Sequence, residues 1–165
     1  MWYGDLIITF NGEIFNFQEI RQELQSLGHQ FKSRSDTEVI LHAFAQWGEK
    51  SVNKFNGMFA FGIYNKKTKE LTLVRDRLGV KPLYYYIYNR KTLVFASEVR
   101  AICQYSQFKA RLNKDALYDF FRYSFVPGED TLYSKRNYFK RRITKRSRKN
   151  LPWLRIPKGN DTSLN

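Results

Sequence analysis

The 165 residues are 42% apolar, enough for one globular domain with a real core, and no stretch approaches the roughly 18 consecutive apolar residues that a membrane-spanning helix needs. Met1-Trp2-Tyr3-Gly4-Asp5 carries neither the basic region nor the apolar run of a secretory signal, and the single cysteine, Cys103, excludes an internal disulfide, so a soluble cytoplasmic protein is expected. The net charge of +14 is not spread over a folded face: residues 1–130 hold 18 Lys and Arg against 14 Asp and Glu, whereas residues 131–165 hold 11 against 1, so the basic excess belongs to the C-terminal stretch.

Taken in order, residues 5–10 read as a strand. The apolar, β-branched run Ile7-Ile8-Thr9-Phe10 stops on Asn11-Gly12-Glu13, where Asn-Gly predicts a turn. Such a turn presents a carboxamide, a backbone N–H and a carboxylate at a strand end, enough to hold the oxygen and amino group of a small amino acid. For the tripeptide alone, an ordinary strand-to-helix turn capped by Asn is the plainer reading. Asn16 to Leu27 has the spacing of a helix, with Phe17, Ile20, Leu24 and Leu27 on one stripe, Asn16 to cap its start and Gly28 to end it. His29 to Ser33 alternates like a short strand. A second helix opens at Ser35-Asp36-Thr37-Glu38, with Ser35 or Asp36 as N-cap, carries the stripe Val39, Ile40, Ala43, Phe44 and Trp47, and ends at Gly48.

From residue 58 the period becomes that of β structure. Met58 to Tyr64 and Glu70 to Asp76 flank the polar turn Asn65–Lys69, and Leu83 to Tyr88 and Leu93 to Ala96 flank Asn89-Arg90-Lys91. Ser97 to Tyr105 and Asn113 to Tyr123 are predicted helices, the latter closed by Pro127-Gly128. Because the strands come mainly as hairpins, the fold class is α+β and not doubly wound. From Ser134 to Asn150 Lys and Arg dominate without a sustained apolar period, and the last stretch carries Pro152, Pro157 and Gly159. A folded domain over 1–133 and a basic, irregular, disordered tail over 134–165 are expected.

Five blocks stand in order: Phe10-Asn11-Gly12-Glu13-Ile14-Phe15-Asn16; Arg34-Ser35-Asp36-Thr37-Glu38-Val39; Asn56-Gly57-Met58-Phe59-Ala60-Phe61; Arg75-Asp76-Arg77-Leu78-Gly79-Val80-Lys81-Pro82-Leu83-Tyr84-Tyr85; and Phe95-Ala96-Ser97-Glu98. Through about residue 133 the chain resembles the glutamine-hydrolysing domain of asparagine synthetases, class II glutamine amidotransferases with an N-terminal-nucleophile (Ntn) fold; the Arg75 to Tyr85 block looks like the asparagine synthetase branch. The resemblance implies an αββα sheet sandwich and, as family reaction, the ATP-dependent conversion of aspartate to asparagine with glutamine as nitrogen donor. It further implies that the Asn11 side chain and the Gly12 N–H form an oxyanion hole, whose fixed donors are commonly worth a factor of roughly a hundred each. Glu13 and Asp36 would hold the glutamine α-amino group by charge-assisted hydrogen bonds, a role compatible with Asp36 also capping a helix. The Arg75 to Tyr85 block is expected to order a turn. No metal ligands are implied; ATP and magnesium belong to the synthetase domain that follows in family members.

Two departures bear on activity. Family members begin with a cysteine exposed by removal of the initiator methionine, whereas this chain begins Met1-Trp2, and a large second residue keeps Met1 in place. The family's first strands, its nucleophile and an arginine for the glutamine carboxylate are then lacking, which leaves a sheet edge unpaired. Cys103, in a predicted helix far from the Asn-Gly turn, is expected to be inert, and neither His29 nor His42 has a partner at a motif spacing. The second departure is the Lys/Arg-rich run after Tyr133, where family members continue toward their ATP-binding domain; a change of reading frame near codon 133 would produce such a loss of pattern. A glutamine amidotransferase fragment, inactive alone, is the expectation. Two alternatives stay open: a non-catalytic glutamine-binding module, or one completed by a separate Cys-bearing or synthetase chain; and a nucleic-acid binder acting through Tyr138, Phe139 and Trp153 in the tail. Glutamine is the expected ligand, and neither membrane nor nucleic acid is an expected partner.

Overall fold

The N-terminus folds back on itself through a two-residue turn. Strand β1 (Trp2–Tyr3) passes through Gly4, whose φ of +55° suits a tight hairpin, into β2 (Leu6–Ile14), with Trp2 opposite Ile7 and Tyr3 opposite Leu6. Strand β2 does not stop at Asn11-Gly12, contrary to the turn expected there. All nine of its residues pair antiparallel with β3 (Gly57–Asn65), Asn11 opposite Ala60, Gly12 opposite Phe59 and Glu13 opposite Met58. The glycine serves close approach instead of a turn: at φ +143° a Cβ would collide with the Met58 carbonyl and lie 2.7 Å from Phe59 Cα. Gly57, opposite Ile14, is confined in the same way by the Glu13 carbonyl.

The computed structural model describes residues 1–89, 91–128, 130–133 and 153–156. These fall into two compact units, one within Met1–Lys81 and Thr144–Asn165, the other within Pro82–Ile143.

In the first unit, helices α1 (Phe17–Ser26) and α2 (Asp36–Trp47) and a 3-10 segment (Gly48–Lys54) lie on one face of the β2–β3 sheet. Alternation along the strands sends Leu6, Ile8 and Ile14 of β2 and Phe59, Phe61 and Ile63 of β3 into one core with Ile20 and Leu24 of α1 and Val39, Ile40, Leu41 and Ala43 of α2. Each of these side chains other than Ala43 contributes about 1.5–3 kcal/mol by leaving water. Phe17, Phe44 and Trp47 pack at its margin, while Leu27 stays exposed. The segment His29 to Ser33 is a loop and not the expected strand. Its backbone donors go to a side chain: the Lys32 and Ser33 N–H groups give their hydrogens to Glu38 at 2.8 and 2.7 Å. Asn65 Oδ1 accepts from the Lys67 and Thr68 N–H groups, closing the hairpin between β3 and β4 (Glu70–Arg75).

The second unit holds the hairpin of β5 (Tyr84–Tyr88) and β6 (Thr92–Ala96), helix α3 (Val99–Cys103) and helix α4 (Lys114–Tyr123). Tyr86 and Ile102 are its buried centre, ringed by Tyr84, Tyr88, Val94, Val99, Tyr105 and Phe108. Asn113 caps α4, which stops at Ser124 in the left-handed conformation, three residues before the expected Pro127.

Within residues 134–165, read from the sequence as an irregular tail, one strand is described: β7 (Trp153–Ile156) pairs antiparallel with β4, giving the five-stranded order β1-β2-β3-β4-β7. The rest of that segment, with Tyr138 and Phe139, lies outside the described residues.

Candidate functional site

Pairing parity decides which way each backbone group of β2 points. In an antiparallel ladder alternate residues direct both N–H and C=O to the same neighbour. The Ile8 N–H meets the Met1 carbonyl at 3.0 Å on the β1 side, and the Phe15 N–H meets the Asn56 carbonyl at 2.7 Å on the β3 side. Even-numbered residues therefore face the outer edge. Gly12 N–H lies on that edge, and so does Ile14 N–H, which donates to Asp36 Oδ2 at 3.2 Å. The fold thus carries Asp36 across 22 residues to the edge that presents the Gly12 N–H. Asn11 and Glu13, two apart, project from the sheet face opposite the helices, both exposed and about 7 Å apart along the strand.

Asp36 is free for this because the capping role falls to its neighbour. Ser35 Oγ accepts from the Thr37 N–H at 3.1 Å, and Asp36 becomes the first residue of α2, where the helix dipole favours an anion. Thr37 Oγ1 donates to Asp36 Oδ1 at 3.4 Å, orienting the carboxylate. Behind it, Glu38 accepts from the Lys32 N–H, the Ser33 N–H and the Ser33 hydroxyl, while Ser33 Oγ accepts from the Ser35 N–H. Burial works against the Glu38 charge, but these donors and His42 outweigh it and hold the carboxyl below its ordinary range.

The end of β2 is tied down by Asn16. Instead of capping α1 with its side chain, as expected, it gives Nδ2–H to the Lys54 carbonyl and accepts from the Asn56 N–H, both at 2.9 Å, fastening the β2 exit to the β3 entrance. From the other strand, buried Asp76 accepts from Phe59 N–H at 3.3 Å, opposite Gly12, and from Val80 and Lys81 N–H at 2.9 Å. Arg75 donates to the Lys81 and Gly79 carbonyls at 2.6 Å, so the Arg75–Lys81 stretch is a side-chain-tied turn bearing on β3.

Of the residues singled out in the sequence, Gly12 and Asp36 are brought to one edge, and Asn11 and Glu13 to the adjoining face. Cys103 is in α3 of the second unit, half-buried, its thiol hydrogen-bonded to the Tyr133 side chain, which pushes that phenol up. His29 and His42, which lack a motif-spaced partner, bond to each other. Asn16 and Glu38 were not anticipated as supports; their signal lay inside the recognised blocks but carried no spacing that names a tertiary partner. Among the described residues no cluster of three or more His, Cys, Asp or Glu could hold a metal ion, and no helix is long and apolar enough to cross a membrane.

A family profile described as a glutamine amidotransferase domain matches residues 1–150. The chain belongs to that family. The match passes Tyr133, where the motif resemblance fades. Among relatives of this amidotransferase domain, asparagine synthetase [glutamine-hydrolyzing] 3 of Bacillus subtilis is 42% identical over 114 residues, 69% of this chain and 18% of that protein. Asparagine synthetase [glutamine-hydrolyzing] 1 of the same organism is 42% identical over 125 residues, 76% and 20%, and putative asparagine synthetase [glutamine-hydrolyzing] 2 of Methanocaldococcus jannaschii is 38% identical over 139 residues, 83% and 26%. The chain spans about a fifth to a quarter of the length of these relatives. Among solved structures, the B. subtilis glutamine phosphoribosylpyrophosphate amidotransferase complexed with ADP and GMP superposes with a TM-score of 0.53 at 28% identity, over 59% of this chain and 23% of that one. The fold class is the Ntn amidotransferase type, α+β with antiparallel sheets.

Proposed function

We propose that this chain is the glutamine-binding part of an amidotransferase domain serving asparagine synthesis. In this reading the Asn11 carboxamide and the Gly12 N–H receive the oxygen of the glutamine side-chain amide, and Glu13 and Asp36 receive its α-ammonium. The observation that carries it is the Asp36 carboxylate seated at Ile14 N–H, on the edge that presents Gly12 N–H. A donor and an anion on one strand edge, flanked by a second carboxylate, suit a zwitterionic amino acid whose oxygen and ammonium lie a few bonds apart.

The 165 residues as they stand are not expected to hydrolyse glutamine, because their one thiol, Cys103, is half-buried within α3 and has no free α-amino group beside it to serve as base. The conversion of aspartate, with its ATP and magnesium, falls to the part of the relatives' length outside this chain, in the cytoplasm. A second reading is favoured by the outer edge of β2, where among the described residues the Phe10 and Gly12 backbone groups meet no hydrogen-bond partner: an extended segment of a separate Cys-bearing chain completes the sheet there.

Glutamine is expected to raise the melting temperature of the purified chain without ammonia release, and Asp36→Asn to weaken that binding by about 1.5–3 kcal/mol, roughly ten- to a hundred-fold. Ammonia release abolished by Asn11→Ala would reveal an unforeseen nucleophile and overturn the inert reading; a melting temperature indifferent to glutamine would remove the binding site itself. Copurification of a short Cys-initiated peptide supports the second reading.

A further inference from the structure

Away from the Gly12 edge, side chains from four parts of the first unit converge on one buried imidazole. His42 of α2 is 1% exposed, and its Nδ1 lies 2.9 Å from Nδ1 of His29 in the loop after α1. His29 Nε2 is 2.9 Å from Oε1 of Gln46, one turn further along α2. Tyr3 of β1 stacks on the His42 ring with centroids 3.8 Å apart and planes at 30°, and Phe31 packs 4.4 Å away. The charged groups facing the pair are Glu38, on α2 itself, 3.8 Å from His42 Nε2, and Arg21 from α1, which lies over the Phe31 ring and donates to the Ser33 carbonyl. Strand β1 contributes only the phenol of Tyr3.

Counting protons makes this pair one-sided. A hydrogen bond between two ring nitrogens needs one donor and one lone pair. Gln46 Oε1 only accepts, so His29 carries its hydrogen on Nε2; with both rings neutral, His29 Nδ1 accepts and His42 Nδ1–H donates. One added proton is accommodated on His42 Nε2, facing the Glu38 carboxylate. Two are not: two imidazolium rings would then point N–H at N–H across 2.9 Å in a site with little water to screen them.

We propose that the His29–His42 pair is a proton-operated latch on β1, closed while the pair carries at most one added proton and opened when both rings are protonated, so that His42 no longer offers Tyr3 its stacking surface and Trp2–Tyr3 leaves the edge of β2. Little else holds this strand: two residue pairs with β2, and the backbone bonds between Met1 and Ile8 at 3.0 and 3.4 Å. A two-residue ribbon does not persist on ladder bonds alone. Its departure bares the Leu6 and Ile8 backbone groups, so that the unpaired outer edge of β2 runs from there to Gly12 and to Ile14, where Asp36 is seated. Burial, reinforced by His29 and by Arg21 and opposed by Glu38, holds His42 below its ordinary 6.5. The folded state thus favours the neutral ring, and the stability it contributes is intact above about 6.5 and is lost as pH falls from there toward the lower folded value.

Residue-resolved hydrogen exchange on the full chain, corrected for the intrinsic pH dependence of exchange, tests this. Between about pH 7.5 and about pH 5 the Ile8 N–H should lose protection at least about tenfold relative to the amides of β3, one pH unit of linkage being a factor of ten. In His29→Gln, a half-buried position that keeps a polar side chain but leaves a single titrating ring, the step should vanish. Protection of Ile8 that ignores pH, or an undiminished step in His29→Gln, overturns the latch. A second measurement needs no variant: the imidazole resonances of the unaltered chain should titrate as a coupled pair in two separated steps. Two independent single titrations overturn it equally.

Discussion

A methyl group added at Gly12 has nowhere to go, because the Met58 carbonyl and Phe59 Cα occupy its place and φ is +143°. Gly12→Ala is therefore expected to destabilise the chain by about 3 kcal/mol, read as a lower urea midpoint, through overpacking and backbone strain together. The outward N–H of Gly12 depends on the same closeness, since a β3 strand pushed away would re-aim the ladder. At Ser35 and Asp36 two neighbouring residues divide two tasks. Ser35→Ala should cost about 1 kcal/mol of stability and draw Asp36 toward the vacated cap, weakening the proposed glutamine binding more than a cap loss elsewhere would. Glu38 adds a pH dependence of definite sign. Its folded carboxyl titrates below the ordinary 4.5, so the stability it contributes is present above about 4.5 and is lost as pH falls through the lower folded value. Acid unfolding monitored by circular dichroism should show Glu38→Gln losing less stability than the parent over that window.

Among the elements, the entrance of β3, which pairs with the end of β2 that bears Asn11, Gly12 and Glu13, is tied to the β2 exit on one side and to the β4 exit on the other. Asn16 fastens the β2 exit, and Asp76 fastens Phe59 through its N–H while gathering the Val80 and Lys81 N–H groups. Asp76→Ala leaves three backbone donors without their acceptor around a residue only 6% exposed, and should cost at least about 3 kcal/mol in denaturant unfolding. The apolar periods of β2, β3 and both helices of the first unit were legible in the sequence, as were the blocks that hold the candidate residues. What misled was local chemistry with more than one use. Asn-Gly reads as a turn because glycine permits one, yet here it spares a methyl group between strands. His29 to Ser33 alternates like a strand, yet its donors are claimed by Glu38 from the next helix.

Over the whole molecule, the family match to residue 150 and the pairing of Trp153–Ile156 with β4 both reach past Tyr133, where the regular pattern of the sequence ends. A strand of four residues leaves little periodic trace amid basic neighbours, and its place is set by the β4 edge it covers. A chain ending at Tyr133 should show faster exchange at the β4 amides and a greater tendency to aggregate, because that edge would then be bare.

The sequence by itself determined the α+β class and the amidotransferase family and pointed to the candidate residues Asn11, Gly12, Glu13 and Asp36, since these follow from apolar periods and from contiguous blocks whose order survives in the linear chain. Only the tertiary structure decided that β2 runs through Asn11 and Gly12, that Asp36 comes to rest at Ile14, that Asn16 is a tie between strands, and that His29 meets His42. Each of these depends on a partner remote in sequence, up to 40 residues away for Asn16 and Asn56, and a backbone or side-chain donor takes whichever acceptor the packed core brings within reach.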